Sequence, residues 1–303
     1  MAASEKIVVA RLLALPHTPP TCQVHRIKQN RAVGSLTRPA SSRDVHGDSL
    51  RRFHTADSVH CKQKMDAMVY SGDSALIELV DVSKSYTHAS GTFHALRSVN
   101  LKIATRQLVA ITGKSGSGKT TLLNLIAGID QPSSGRVVVN GAQIDHMPER
   151  MLAPWRGANV GIVFQFFQLL PTLSIVENVM LPMDFCNSFP RTSRRKRAFQ
   201  LLEMVDIASH ADKLPAALSG GQQQRAAIAR ALANDPPVLI ADEPTGNLDS
   251  ITARSIFQLF ADLSKADKTV IIVTHEREIA ESFDLVFDVV DGAVSTTKHV
   301  PAI

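Results

Sequence analysis

Cysteine is scarce: Cys22, Cys61 and Cys186 lie far apart in 303 residues. Three such residues exclude a dense disulfide framework and offer no metal-ligand spacing, so a reduced, cytosolic compartment is expected. Long apolar runs are missing too. No unbroken stretch of A, V, I, L, M, F, W, Y or C exceeds four residues, whereas a transmembrane helix needs about 20. There is no internal repeat, low-complexity tract or heptad run. What remains is 44% hydrophobic and 20% charged, enough apolar material for a core and a length that suits one large or two modest domains.

The net charge of +5 hides two different compositions. Residues 1–64 carry 11 Lys and Arg against 4 Asp and Glu, which leaves 22 against 24 for the rest. The nearly neutral remainder gives no reason to expect nucleic-acid binding. Residues 1–64 show no period of 2 or 3.6 and read as a basic, disordered extension ahead of one domain at 65–303. Glu5 and Arg11 break the pattern of a secretory signal. A transit peptide, and a start wrongly assigned upstream of Met65 or Met68, are the other readings.

From about Ala75, short β-rich runs alternate with helical patterns. Strands are predicted at Ala75–Val82, Leu101–Ile103, Leu108–Thr112, Arg136–Val139, Val160–Phe164, Val238–Ala241, Val270–Thr274 and Leu285–Val290. Helices are predicted at Lys119–Ala127, Ser193–Val205, Gln222–Ala233 and Ile251–Ser264. This alternation predicts an α/β fold around a mostly parallel sheet. Val238–Ala241 and Val270–Val273 are apolar throughout, as strands buried on both faces are.

Gly113, Lys114, Ser115, Gly116, Ser117, Gly118, Lys119 and Thr120 fit G-x-x-x-x-G-K-[ST] between a predicted strand and a predicted helix, the context that gives this motif meaning. The glycines let backbone N–H groups turn inward around an anion, and the helix start, running on into Thr121, adds unpaired donors. Lys119 is placed to reach the β- and γ-phosphates, and the Thr120 hydroxyl to ligate Mg²⁺. Chance alone gives such a match in roughly 1% of chains this long, so a phosphate-binding loop is expected. Asp242 and Glu243 follow the predicted strand Val238–Ala241, where ligands bind in parallel sheets. Asp242 fits the Mg²⁺-organising acid, and Glu243 the general base toward an attacking water.

Leu218-Ser-Gly-Gly-Gln222, then Gln223-Gln224-Arg225, resembles the signature motif of ABC ATPases. The resemblance extends over about residues 75–292. It implies an α/β P-loop NTPase of ABC type: a mostly parallel core sheet, an antiparallel β subdomain and an inserted α-helical subdomain at about 166–218. It also implies roles. Tyr86 stacks on adenine, Gln165 is a Mg²⁺ ligand and catalytic glutamine, Gly246–Asp249 is the D-loop, and His275 is the switch histidine. Two chains sandwich two ATP head to tail, with Ser219, Gly220, Gly221 and Gln222 of one facing the phosphates held by the other.

Phe164-Gln-Phe-Phe-Gln-Leu-Leu-Pro171, with Glu177-Asn-Val, Leu181-Pro182 and Asp242–Asp249, looks like the lipoprotein-release and macrolide-export ATPases and the related cell-division ATPase. That resemblance implies a subunit using ATP and Mg²⁺ to energise a separate transmembrane permease, for export or mechanical work on the envelope. It implies a homodimer, peripheral on the cytoplasmic face of the plasma (inner) membrane through the permease. The alternatives are an ATP-gated regulator of a membrane partner, of cell-division type, and a soluble ABC ATPase outside transport. Phe166, Phe167, Leu169 and Leu170 are read equally as a dock for the partner and as subdomain core. Arg194-Arg-Lys-Arg197 reads as a solvated helix face, with anionic headgroups a minor alternative.

Overall fold

The computed structural model describes residues 75–88, 91–274 and 282–297. The predicted extension at 1–64 and His275 lie outside them. Two sheets organise the described residues. The larger has the order β10-β9-β3-β8-β7-β6, from β3 (Leu108–Thr112), β6 (Val160–Val163), β7 (Val238–Asp242), β8 (Thr269–Val273), β9 (Leu285–Val290) and β10 (Ala293–Thr297). All its pairs are parallel except the hairpin of β9 with β10. The smaller sheet, order β2-β1-β4-β5, is antiparallel and joins β1 (Ile77–His88), β2 (Gly91–Ile103), β4 (Ser134–Val139) and β5 (Ala142–Gln143).

Alternation along the central strands divides the interior in two. Val109, Ile111, Val238, Ile240, Ile271 and Val273 face a cluster shared with the antiparallel sheet and helix α1 (Lys119–Ile126). Leu108, Ala110, Leu239, Ala241, Val270 and Ile272 face the other way, onto further helices. Those strands are therefore buried on both faces, as their unbroken apolar runs require.

Six α-helices are present among the described residues. Between α1 and the later ones come α2 (Glu149–Asn159), α3 (Ile175–Cys186) and α4 (Arg191–Met204). The last two are α5 (Gly220–Ala231) and α6 (Ser250–Lys265). Sequence reasoning passed over α2 and α3, each of which contains a proline, Pro154 and Pro182, a residue that argues against helix interiors. The start of α3 was nevertheless written in the chain. Ser174 accepts from the Glu177 amide while Glu177 reaches back to the Ser174 amide, a reciprocal cap worth about 1 kcal/mol. Sequence reasoning also found only the last three residues of β2, because its first four, Gly91–His94, are exposed and show no alternation.

The basic run on α4 is a correction. Arg194 is 2% exposed. It donates to Asp184, to Asn187 Oδ1 at 2.6 Å and to the Phe189 carbonyl at 2.8 Å. Arg197 donates to the Ala233 carbonyl at 2.8 Å and lies over the Phe189 ring. Two of the four charges thus point inward and hold α4 to its neighbours, so the run is not a solvated face.

Candidate active site

The loop after β3 is shaped by glycine. Gly113 has φ 142° and Gly118 φ 112°. A Cβ would stand 2.3 Å from the Val289 carbonyl oxygen at Gly113 and 2.5 Å from the Ala95 carbonyl oxygen at Gly118. Backbone contacts that close admit no side chain, so β9 packs on the loop at Gly113 and β2 at Gly118. Lys119, 6% exposed, donates from Nζ to the carbonyls of Gly113 (2.9 Å) and Lys114 (2.8 Å). Helix α1 begins without a side-chain cap and without an acid in its first turn. The Ser117 hydroxyl is buried without a hydrogen-bond partner. Donors collected at a helix start, one buried lysine and a first turn without an acid suit a polyphosphate.

Other elements bring acids and an amide to this loop. The Thr120 hydroxyl donates toward Asp242 Oδ2 at 3.5 Å, across from the end of β7. An oxygen-only pair of hydroxyl and carboxylate suits Mg²⁺, which commonly binds through one or two carboxylates together with substrate phosphates. Glu243 turns away from the strand in a left-handed conformation, φ 46°, with its amide donating to the Val273 carbonyl at 3.1 Å. Its Oε2 accepts from Gln165 Nε2 at 3.1 Å. The chain after β6 and the chain after β7 are thereby joined at their side chains.

Tyr86 is held more firmly than a free aromatic platform. Its hydroxyl donates to Asp130 Oδ2 at 2.8 Å. Lys84 Nζ donates to Asp130 Oδ1 at 2.6 Å and lies 4.9 Å from the Tyr86 ring centroid. Burial, then the Asp130 carboxylate, pushes the phenol pKa up. Burial opposes ionisation of Asp130, but its bonds from Lys84 and Tyr86 hold that carboxyl below the usual range. Sequence reasoning missed Lys84 and Asp130. Lys84 sits two residues before Tyr86 on β1, a same-face spacing, but nothing local joins it to Asp130.

The signature residues lie elsewhere. Ser219 caps α5, accepting from the Gln222 amide at 3.4 Å while Gln222 Oε1 accepts from the Ser219 amide at 3.0 Å. Gln222 is thus committed to the cap. A Cβ on Gly221 would meet Thr252 Cγ2 at 2.5 Å, so a small residue lets α5 approach α6. Among the described residues no hydrogen bond links Ser219–Gln222 to Gly113–Thr121. Asp249 caps α6, accepting from the amides of Ile251 and Thr252.

The family model for ABC transporters matches residues 96–246. The lipoprotein-releasing system ATP-binding protein LolD 1 of Rhodopirellula baltica is 42% identical over 220 residues, which is 72% of this chain and 96% of the relative. The macrolide export ATP-binding/permease protein MacB of Chlorobaculum tepidum is 43% identical over 219 residues, again 72% of this chain. Here the chain spans only a third of the relative's length, 33%. Among solved structures, the ATP-binding cassette MJ0796 of Methanocaldococcus jannaschii is similar in its dimeric, post-hydrolysis state with ADP and Pi bound. That match has a TM-score of 0.69 and 40% identity, and covers 73% of this chain and 98% of the other. With this degree of identity across a whole cassette, the chain belongs to the ABC transporter family and is an ATP-hydrolysing cassette.

Proposed function

We propose that this chain powers a separate membrane permease of export type, working as one of two identical cassettes on the cytoplasmic face of the inner membrane. The observation that carries the catalytic part is the bond between Gln165 and Glu243, made beside Thr120 and Asp242. In this reading the backbone of Gly113–Gly118 and the start of α1 bind the phosphates. Lys119 exchanges its two carbonyl partners for β- and γ-phosphate oxygens. Thr120, Asp242 and Gln165 hold Mg²⁺, which neutralises phosphate charge when bound. Glu243 takes the proton of the attacking water, and Gln165 fixes the direction in which its carboxylate points. Tyr86, locked at its hydroxyl, offers its ring to adenine, and His275 serves the γ-phosphate. The signature residues sit apart from the loop of their own chain. A second copy therefore brings its Ser219, Gly220 and Gly221 to the phosphates, with the N-terminus of its α5 favouring the charge. The dimeric state of the MJ0796 cassette supports this reading.

The permease and the direction of transport rest on the relatives, one named for lipoprotein release and one joining ATP binding with a permease. No helix of the described residues is long and apolar enough to cross a membrane. The dock we assign is narrower than the sequence suggested. Phe166 is 71% exposed and Leu170 43%, while Phe167 and Leu169 pack against the core. Of the two sequence readings, each therefore applies to alternate residues. Replacing Phe166 and Leu170 together with alanine is expected to weaken membrane retention at least about 30-fold, because one buried anchor at an interface contributes about 2 kcal/mol. Nucleotide affinity, measured on the same preparation, should hold. Full retention of the double variant places the dock elsewhere.

We also propose that residues 1–64 add nothing to the cassette. The LolD relative is covered for 96% of its length by an alignment that uses 72% of this chain, so a cassette of this family does without the remainder. A chain starting at Met65 is expected to melt with the full chain, within experimental error, and to hydrolyse ATP at the same rate. A lower melting temperature would show that the extension packs on the cassette.

A further inference from the structure

Residues 164–174, between β6 and α3, form neither helix nor strand, yet they carry Gln165. Their path bends sharply at Phe167 and Gln168, two consecutive non-glycine residues in the left-handed region, φ 58° and 49°, where L-residues are disfavoured. Within the loop the Phe167 amide donates to the Phe164 carbonyl and the Gln168 amide to the Phe166 carbonyl, and a side chain from outside also holds that bend. That residue is Arg230, in the last turn of α5. Its Nη2 donates to the Phe167 carbonyl at 2.7 Å and its Nη1 to the Gln168 carbonyl at 2.6 Å. The planar fork of a guanidinium matches two adjacent acceptors in a way an ammonium cannot. Burial pushes the pKa of this guanidinium down, and no carboxylate pairs with it among the described residues. A partly buried cation without an anion still loses hydration, and these two carbonyls compensate it.

We infer that Arg230 is a positioning residue for hydrolysis: it clamps the bend after Gln165 so that the Gln165 amide meets Glu243, and it ties that geometry to the signature helix. The tie is mechanical. Ser219 caps the start of α5 and Arg230 sits in its last turn, about 16 Å apart along one helix at 1.5 Å per residue. A displacement of the signature end therefore reaches the carbonyls of Phe167 and Gln168 through a rigid rod and two charge-assisted bonds. At the near end, Gln165 Nε2 is bonded to Glu243 Oε2 at 3.1 Å. The Asn247 amide steadies the Gln165 carbonyl at 3.5 Å.

The inference rests on the proposed role of Gln165, and one double-mutant cycle separates the two. ATP hydrolysis would be measured for Gln165→Ala, Arg230→Met and the pair in the full-length chain. ATP affinity and melting temperature would be followed alongside. Arg230→Met is expected to lower kcat about tenfold, with KM for ATP within about twofold, because an interaction that shapes the reacting geometry acts on kcat. In the Gln165→Ala background it should lower kcat no further, as coupled residues are not additive. Arg230→Lys, able to reach one carbonyl, should fall between. If Arg230→Met does not fold, Arg230→Lys takes its place in the cycle, expected to lower kcat alone but not beside Gln165→Ala. A Gln165→Ala enzyme with normal kcat would remove the role of Gln165 and this inference with it. A Gln165→Ala enzyme that is slow, beside an Arg230 variant with unchanged kcat or with an additive effect, would overturn the inference alone and leave Arg230 a packing residue.

Discussion

Glu243→Gln should bind ATP as the native chain does and turn it over about 10² to 10⁴ times more slowly. That range corresponds to about 3 to 5.5 kcal/mol of transition-state stabilisation at 1.36 kcal/mol per decade. The substitution is chosen for what it keeps. Glutamine presents a carbonyl oxygen where the carboxylate stood, so the bond from Gln165 Nε2 at 3.1 Å retains its acceptor. The backbone at φ 46° is held by the amide bond to the Val273 carbonyl, which the side chain does not touch. The negative charge is lost, and with it the ability to take a proton. If two cassettes close over ATP and hydrolysis opens them, the slow variant should accumulate as a dimer in ATP and return to monomer in ADP. Size-exclusion chromatography reads both states. Hydrolysis at the native rate would take Glu243 out of the mechanism.

Asn178→Ala should be the most damaging single change outside the phosphate site. Asn178 is wholly buried and substitutes for secondary structure. Its Oδ1 accepts from the Leu170 amide at 2.7 Å. Its Nδ2 donates to the carbonyls of Leu170, Leu173 and Ser174 at 3.1, 3.1 and 3.0 Å. Alanine would leave the Leu170 amide and the Leu173 carbonyl without that partner in a place with little water, while the Leu170 and Ser174 carbonyls keep the backbone amides of Leu173 and Asn178. Each such group costs about 1–3 kcal/mol, so a loss of about 3 kcal/mol is expected even after some relaxation. In a domain of this size that lowers the melting temperature by about 6–12 °C. Asn178→Asp, nearly the same shape, should do no better, because a carboxylate oxygen would then face three carbonyl oxygens. Thermal denaturation of both variants tests this. A melting temperature within about 2 °C of the native value would mean that other contacts fix the loop.

The two residues that shape the chain after Gln165 have different origins. Asn178 lies close in sequence to the carbonyls it holds, four to eight residues away. Arg230 reaches back 62 residues. The first could have been suspected from a buried amide early in a capped helix. For the second there was no local signal, since an arginine near a helix end is ordinarily explained by the helix dipole alone.

The chain by itself determined whatever depends on a few neighbouring residues. The phosphate loop was legible because three glycines, a lysine and a threonine at fixed spacing act through the local backbone and the first turn of α1. The central strands were legible because burial on both faces leaves four consecutive apolar residues in each, Val238–Ala241 of β7 and Val270–Val273 of β8. The signature helix was legible from Leu218 to Arg225 for its residue pattern, with its cap made between residues three apart. Tertiary structure alone decided the rest. It sent Arg194 and Arg197 inward, separated exposed Phe166 from packed Phe167, and gave Tyr86 its anchor on Asp130, 44 residues away. It also set Gln165 against Glu243 across 78 residues of chain. The physical reason is the range of the forces. Backbone sterics, capping and alternation act within a turn or a strand, so sequence order carries them. Which charge is desolvated, and which carbonyl a distant arginine meets, is fixed only when both faces of the parallel sheet are covered and water is excluded between them.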